Sequence, residues 1–163
     1  MISSQPSFNA GDRLLTLLPS IVAEVAEQVY FADAEQGEAE QFAAELEARG
    51  AWLHARVGFR GLVTGSLEIL LPPDLVSELG IAALGGVSGA LTDEQLNDVA
   101  GEMANMLCGA LLTRANRDQR FELMPPQVVR VMDLPSGADT AVTELLFSVN
   151  DRPAIVRFRV WET

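Results

Sequence analysis

Between Ala51 and Leu71 apolar and polar residues alternate with period two, in AWLHARVGF and LVTGSLEILL, on either side of Arg60 and Gly61. Side chains of an extended chain point to opposite faces in turn, so this period suits a β-hairpin with one buried face. A helix would scatter the same residues around its circumference. Pro72 and Pro73 close the pattern, because proline gives no amide hydrogen to a strand ladder. Three later segments, QVVRVMDL, AVTELLFSV and AIVRFRVW, are rich in β-branched residues and separated by the turn formers PSGAD and NDRP. Strands this closely spaced along the chain pair antiparallel.

The remaining segments carry a helical period. Apolar residues recur every three or four positions in DRLLTLLPSIVAEVAEQVYFA, residues 12–32. Pro19 should interrupt that pattern, so the expectation is a short helix followed by a longer one. Residues 35–49, EQGEAEQFAAELEAR, hold many charges around few apolar residues and suit an exposed loop or a short solvated helix. Pro73 and Asp74 can open a short helix to about Leu84, and GGVSG at 85–89 is a connector without the GKS or GKT ending of a phosphate-binding loop. Thr92 and Gln95 form a capping box at the start of a helix expected to reach about Arg117.

These elements predict an α+β fold, with two long helices packed on one face of a mostly antiparallel sheet of five or six strands. At 163 residues the chain fits one domain over 1–163. A net charge of −12 repels phosphate backbones and anionic lipid surfaces, which argues against nucleic acid and membrane as partners. No apolar run reaches the roughly 18 residues of a membrane span and no leader pattern opens the chain, so a cytoplasmic location is expected. Cys108 is the only cysteine, which excludes an internal disulfide and leaves a Cys-based metal site without companions. The only histidine, His54, lies in a strand with no Ser or Cys at a recognisable catalytic spacing, and reads as structural.

The helix from Thr92 carries the functional signal. At about 100° per residue, Leu96, Val99, Ala100, Met103, Leu107, Ala110 and Leu111 form one apolar stripe, with Cys108 packed at its flank. Asp98, Glu102, Asn105 and Gly109 fall opposite, within about 60° of each other. Like charges at i,i+4 and mid-helix asparagine and glycine all disfavour the helix, so folding alone does not account for this ridge. Chance produces the same spacing once more, since Glu94, Asn97 and Gly101 repeat ExxNxxxG eight residues earlier. Spacing alone does not choose between the copies. Asp98, one turn before the second copy, and its place opposite the stripe favour Glu102 and Asn105.

The segment LTDEQLNDVAGEMANMLCGALLT, with its DxxxExxNxxxG pattern, resembles the signature helix of the CheC, CheX and FliY family of chemotaxis phosphatases. FRGLVTGSLEILLPPDLVSELG is similar to that family's hairpin and following helix, and LMPPQVV to the strand approach after the signature. The likeness spans roughly residues 52–161. CheC and many FliY proteins carry a second ExxN on the first helix; here Glu24 is followed by Glu27 and Glu27 by Tyr30, so the chain looks like single-site CheX. The resemblance implies a phosphatase of aspartyl-phosphorylated CheY-like receiver domains. Asn105 would orient the attacking water and Glu102 would pair with the receiver's lysine. Asp98 would support docking or be merely solvated, and Gly109 would admit the partner's backbone. It also implies no cofactor of its own, a Mg²⁺ on the receiver, and a homodimer joined through the sheets, for which the late strands could supply an edge. A module that binds and sequesters a receiver without turnover is the alternative.

Overall fold

The computed structural model describes residues 10–48, 50–61, 63–86, 89–115, 120–135 and 142–161. Two long helices, α1 (Ala10–Tyr30) and α4 (Asp93–Ala115), and the shorter α3 (Pro73–Ala83) cover one face of an antiparallel sheet. The strands are β1 (Ala34–Gln36), β2 (Trp52–Arg60), β3 (Thr64–Leu71), β4 (Glu122–Leu123), β5 (Gln127–Val131), β6 (Val142–Val149) and β7 (Arg152–Trp161). Their order is β1-β6-β7-β3-β2, with both β4 and β5 on the outer side of β2. Seven strands thus stand where five or six are expected. The two extra ones are three and two residues long, too short to show a period.

The hairpin forms as its alternation predicts. Leu53 faces Leu71, Val57 faces Leu67 and Phe59 faces Gly65 across β2 and β3. Leu53, Ala55, Val57 and Phe59 are buried against the helices with Leu67, Ile69 and Leu71. The β6–β7 connection is a two-residue turn with positive φ at both Asn150 (47°) and Asp151 (64°), the conformation that matches strand twist. The PSGAD turn lies outside the described residues beyond Pro135, as does the expected helix end at Arg117.

Two expectations need correction. Helix α1 is continuous through Pro19. Leu14, Leu18, Ile21, Val22, Ala26 and Tyr30 are all buried along one stripe that crosses the proline. At about 1.5–3 kcal/mol for each large apolar side chain, their burial exceeds the roughly 3 kcal/mol cost of an internal proline. Next, the acidic stretch after α1 is not only loop and solvated helix. Ala34–Gln36 pairs with β6, and the buried Phe42 anchors a 3₁₀ turn (Ala39–Phe42) that precedes the exposed α2 (Ala43–Glu47). Among the late strands expected to supply an edge, β7 is flanked by β6 and β3. The other two, β5 on its outer side and β6 before Phe147, where β1 stops, do have unpaired edges among the described residues.

The sheet face turned from the helices holds a row of opposed charges. Arg56 faces Glu68, Glu68 faces Arg157, and Arg157 faces Glu144 across four neighbouring strands. Arg157 is buried; its Nε donates to Glu144 Oε2 at 2.6 Å and its Nη2 to the Pro135 carbonyl at 2.6 Å. His54 Nε2 lies 3.0 Å from Glu68 Oε2, giving the single histidine the structural role expected of it. Trp52, Leu70 and Ile155 pack beside this row as a small second core.

Candidate functional site

Helix α4 begins with the reciprocal cap expected from its sequence. Gln95 N–H donates to Thr92 Oγ1 at 3.2 Å, and Thr92 N–H donates to Gln95 Oε1 at 2.9 Å. Arg130 on β5 reaches Asp93 at 3.3 Å, and Arg114 bonds Glu24 of α1 at 2.5 Å, so both ends of the helix are tied down. The second of these pairs gives Glu24 a structural partner.

The apolar stripe is buried as expected at Leu96, Ala100, Met103, Leu107 and Leu111, with Val99 and Ala110 partly so. Burial extends further round the helix to Gly101, Ala104, Cys108, Leu112 and Ala115, because β2 and the segment ahead of β5 wrap that flank. Burial pushes the Cys108 thiol up to about 12, which makes it a packed side chain and no nucleophile at neutral pH.

Asp98 and Glu102 are exposed and Asn105 is partly buried. All three line one open hollow of about 450 Å³, together with Asn97, Gly101, Pro126 and Val128. On the other side of the helix Asp98 and Glu102 also border a hollow of about 510 Å³, whose walls include Val29, Tyr30, Leu84, Leu91 and Met106. The two carboxylates therefore form a narrow acidic partition between two depressions. Tyr30, at the end of α1, has its phenol held well above the usual range by burial first and by the charge of Glu102 second. Among the described residues no side-chain hydrogen bond or ion pair engages Asn97, Asp98, Glu102 or Asn105. Arg56, Arg114, Arg130, Arg152 and Arg157, by contrast, are each paired with a carboxylate.

Gly109 lies one turn beyond Asn105 and outside the lining of the hollow. Its surroundings are open: a β-carbon there would meet only Leu123 Cδ1, at 3.7 Å. Gly101 differs, since a β-carbon would stand 3.2 Å from Val128 Cγ2 and 3.4 Å from Pro126. The glycine of the first ExxNxxxG copy is thus tightly covered by the chain itself, while that of the second has room for a β-carbon in ordinary contact with Leu123. Pro126, Val128 and Asn97 were absent from the site expected from sequence. The adjacent prolines 125 and 126, and a helix glycine that needs a neighbour to explain it, were the signals.

The fold is that of CheC-like chemotaxis proteins. The CheX protein of Vibrio vulnificus superposes with a TM-score of 0.67 at 20% identity, over 94% of this chain and 97% of that one. CheX of Desulfovibrio desulfuricans gives 0.66 at 17% identity, over 93% and 99%. The CheX of a CheX–CheY–BeF3–Mg²⁺ complex from Borrelia burgdorferi gives 0.60 at 13% identity, over 94% and 99%. No curated protein matches this sequence significantly. Residues 53–149 match the family described as chemotaxis phosphatase CheX, and the chain belongs to that family.

Proposed function

We propose that this chain hydrolyses the aspartyl phosphate of a CheY-like receiver domain, with Asn105 orienting the water and Glu102 anchoring the receiver. The observation that carries this reading is the shared hollow. A carboxamide and a carboxylate one turn apart face the same open space with no partner of their own. Both therefore remain available to a partner molecule.

The chemistry asks little of the protein. A receiver's Mg²⁺ and lysine already neutralise its phosphoryl oxygens, and the departing aspartate is a carboxylate that needs no protonation. The missing part is a water held in line with the P–O bond. The Asn105 carboxamide offers one donor and one acceptor, enough to fix the water's orientation. Water oxygen bonds to phosphorus, the P–O bond to aspartate breaks, and the water's proton leaves with inorganic phosphate. Glu102, without a cation of its own, suits the receiver's lysine. Asp98 extends the acidic rim along the docking surface, and the open Gly109 admits a neighbouring backbone. A homodimer joined through the sheets belongs to the same reading, with the free outer side of β5 as one available edge.

The test mixes the purified chain with a panel of CheY-like receivers phosphorylated by a small-molecule donor and follows loss of phosphate. Acceleration on at least one receiver supports the reading. Tight binding of a phosphorylated receiver with no acceleration replaces it with a sequestering module.

A further inference from the structure

Asn97, Gly101 and Asn105 follow one another at intervals of four, which places them in a single row along α4. Eight residues of helix set the two asparagines about 12 Å apart along the axis. Both line the hollow walled by Pro126 and Val128, and the covered Gly101 lies between them. At about 100° per residue, Asn97 shares its angular position with Ala104, Cys108 and Ala115, all of them buried. It is a partly buried carboxamide on a flank that is apolar from Ala104 onward, and no hydrogen bond engages it among the described residues.

Folding does not favour that choice. Asparagine is a weak helix former, and a carboxamide drawn partly out of water without a partner is unfavourable. An alanine or leucine would suit the flank better. The residue makes sense if something outside the chain completes its hydrogen bonds. Asp98 and Glu102 stand beside it, so a bare anion without its own counter-charge is disfavoured at Asn97. Pro126 has no amide hydrogen, and Val128 presents an apolar wall that displaces water. A peptide unit, with one donor and one acceptor, satisfies both ends of the carboxamide at once, which a cationic side chain does not.

We infer that Asn97 is a second receiver-binding residue, hydrogen-bonding a main-chain peptide of the partner about 12 Å along the helix axis from the phosphoryl group at Asn105. This rests on the phosphatase reading above. Contact so far from the reacting atoms is the same in the ground and transition states, so it lowers KM and leaves kcat alone.

The test measures steady-state hydrolysis on a CheY-like receiver that the wild-type chain dephosphorylates, for the wild type, Asn97→Ala, Asn97→Leu and Asn105→Ala. Both Asn97 variants should raise KM about 3- to 10-fold, the value of one or two lost hydrogen bonds, with kcat within about two-fold of wild type. Their thermal midpoints should equal or exceed that of wild type, since both replacements are better helix formers. Unchanged KM, a fall in kcat at constant KM, or a midpoint several degrees lower would each overturn the inference. If kcat collapses in Asn105→Ala while Asn97→Ala behaves as wild type, only the inference fails. If Asn105→Ala retains wild-type kcat, or if no receiver is dephosphorylated, the phosphatase reading fails and the inference with it.

Discussion

Gly101 lies beneath Pro126, so close that a β-carbon on the glycine would stand 3.4 Å from the proline Cβ and Cγ. That contact sets the depth of the hollow. Gly101→Val should force the two apart and destabilise the fold by about 1–3 kcal/mol. Gly109→Ala meets only Leu123 Cδ1, at an ordinary contact distance of 3.7 Å, and should stabilise it by about 0.5–1 kcal/mol through helix propensity, while weakening a receiver whose backbone approaches there. Urea unfolding of the two variants reads the opposite signs, and equal shifts would contradict the contrast between the glycines.

Gly65 holds the sheet together at a second close approach. A methyl group on it would run into the Arg159 carbonyl on β7 and the Phe59 ring on β2. Backbone cannot yield as a side-chain tip can, so Gly65→Ala should cost about 3 kcal/mol or abolish folding. A denaturation midpoint within error of wild type would contradict the register Gly65↔Val160.

Acid sensitivity should map to the charged row. The hydrogen bond from His54 is the largest influence holding Glu68 below its usual 4.5, joined by the charges of His54, Arg56 and Arg157 and opposed by burial. A depressed carboxylate contributes stability that is present above the unfolded value and lost as pH falls through the folded one. Stability of the wild type should therefore decline below about pH 4.5, and Glu68→Gln should be less stable at neutral pH with a shallower decline. Parallel pH–stability curves for the two proteins would show that Glu68 is not the linked group.

Cys108 should be silent in the folded protein. Its thiol is buried and raised to about 12, so iodoacetamide at pH 8 should label it only after denaturant is added. Prompt labelling of the native chain would contradict the packing of α4 against the sheet.

The sequence made some of this legible and hid the rest for identifiable reasons. The hairpin, the cap at Thr92 and the ridge of Asp98, Glu102 and Asn105 are written in local periods and spacings. The continuity of α1 through Pro19 depends on tertiary burial that no local rule contains. Ala34–Gln36 forms a strand only because β6 offers an edge, and its own residues favour nothing of the kind. Asn97 belonged to a spacing that chance could explain. Its meaning changed when Pro126, 29 positions along the chain, turned out to wall the same hollow.

The central claim is that Asn105 supplies the water-orienting carboxamide. It is tested most directly by single-turnover loss of phosphate from a CheY-like receiver saturated with wild-type chain or with Asn105→Ala. Losing the positioned water should slow hydrolysis about 100-fold, with affinity for the beryllofluoride-loaded receiver kept within a few-fold because Glu102 still anchors it. Hydrolysis by Asn105→Ala at the wild-type rate would contradict the account.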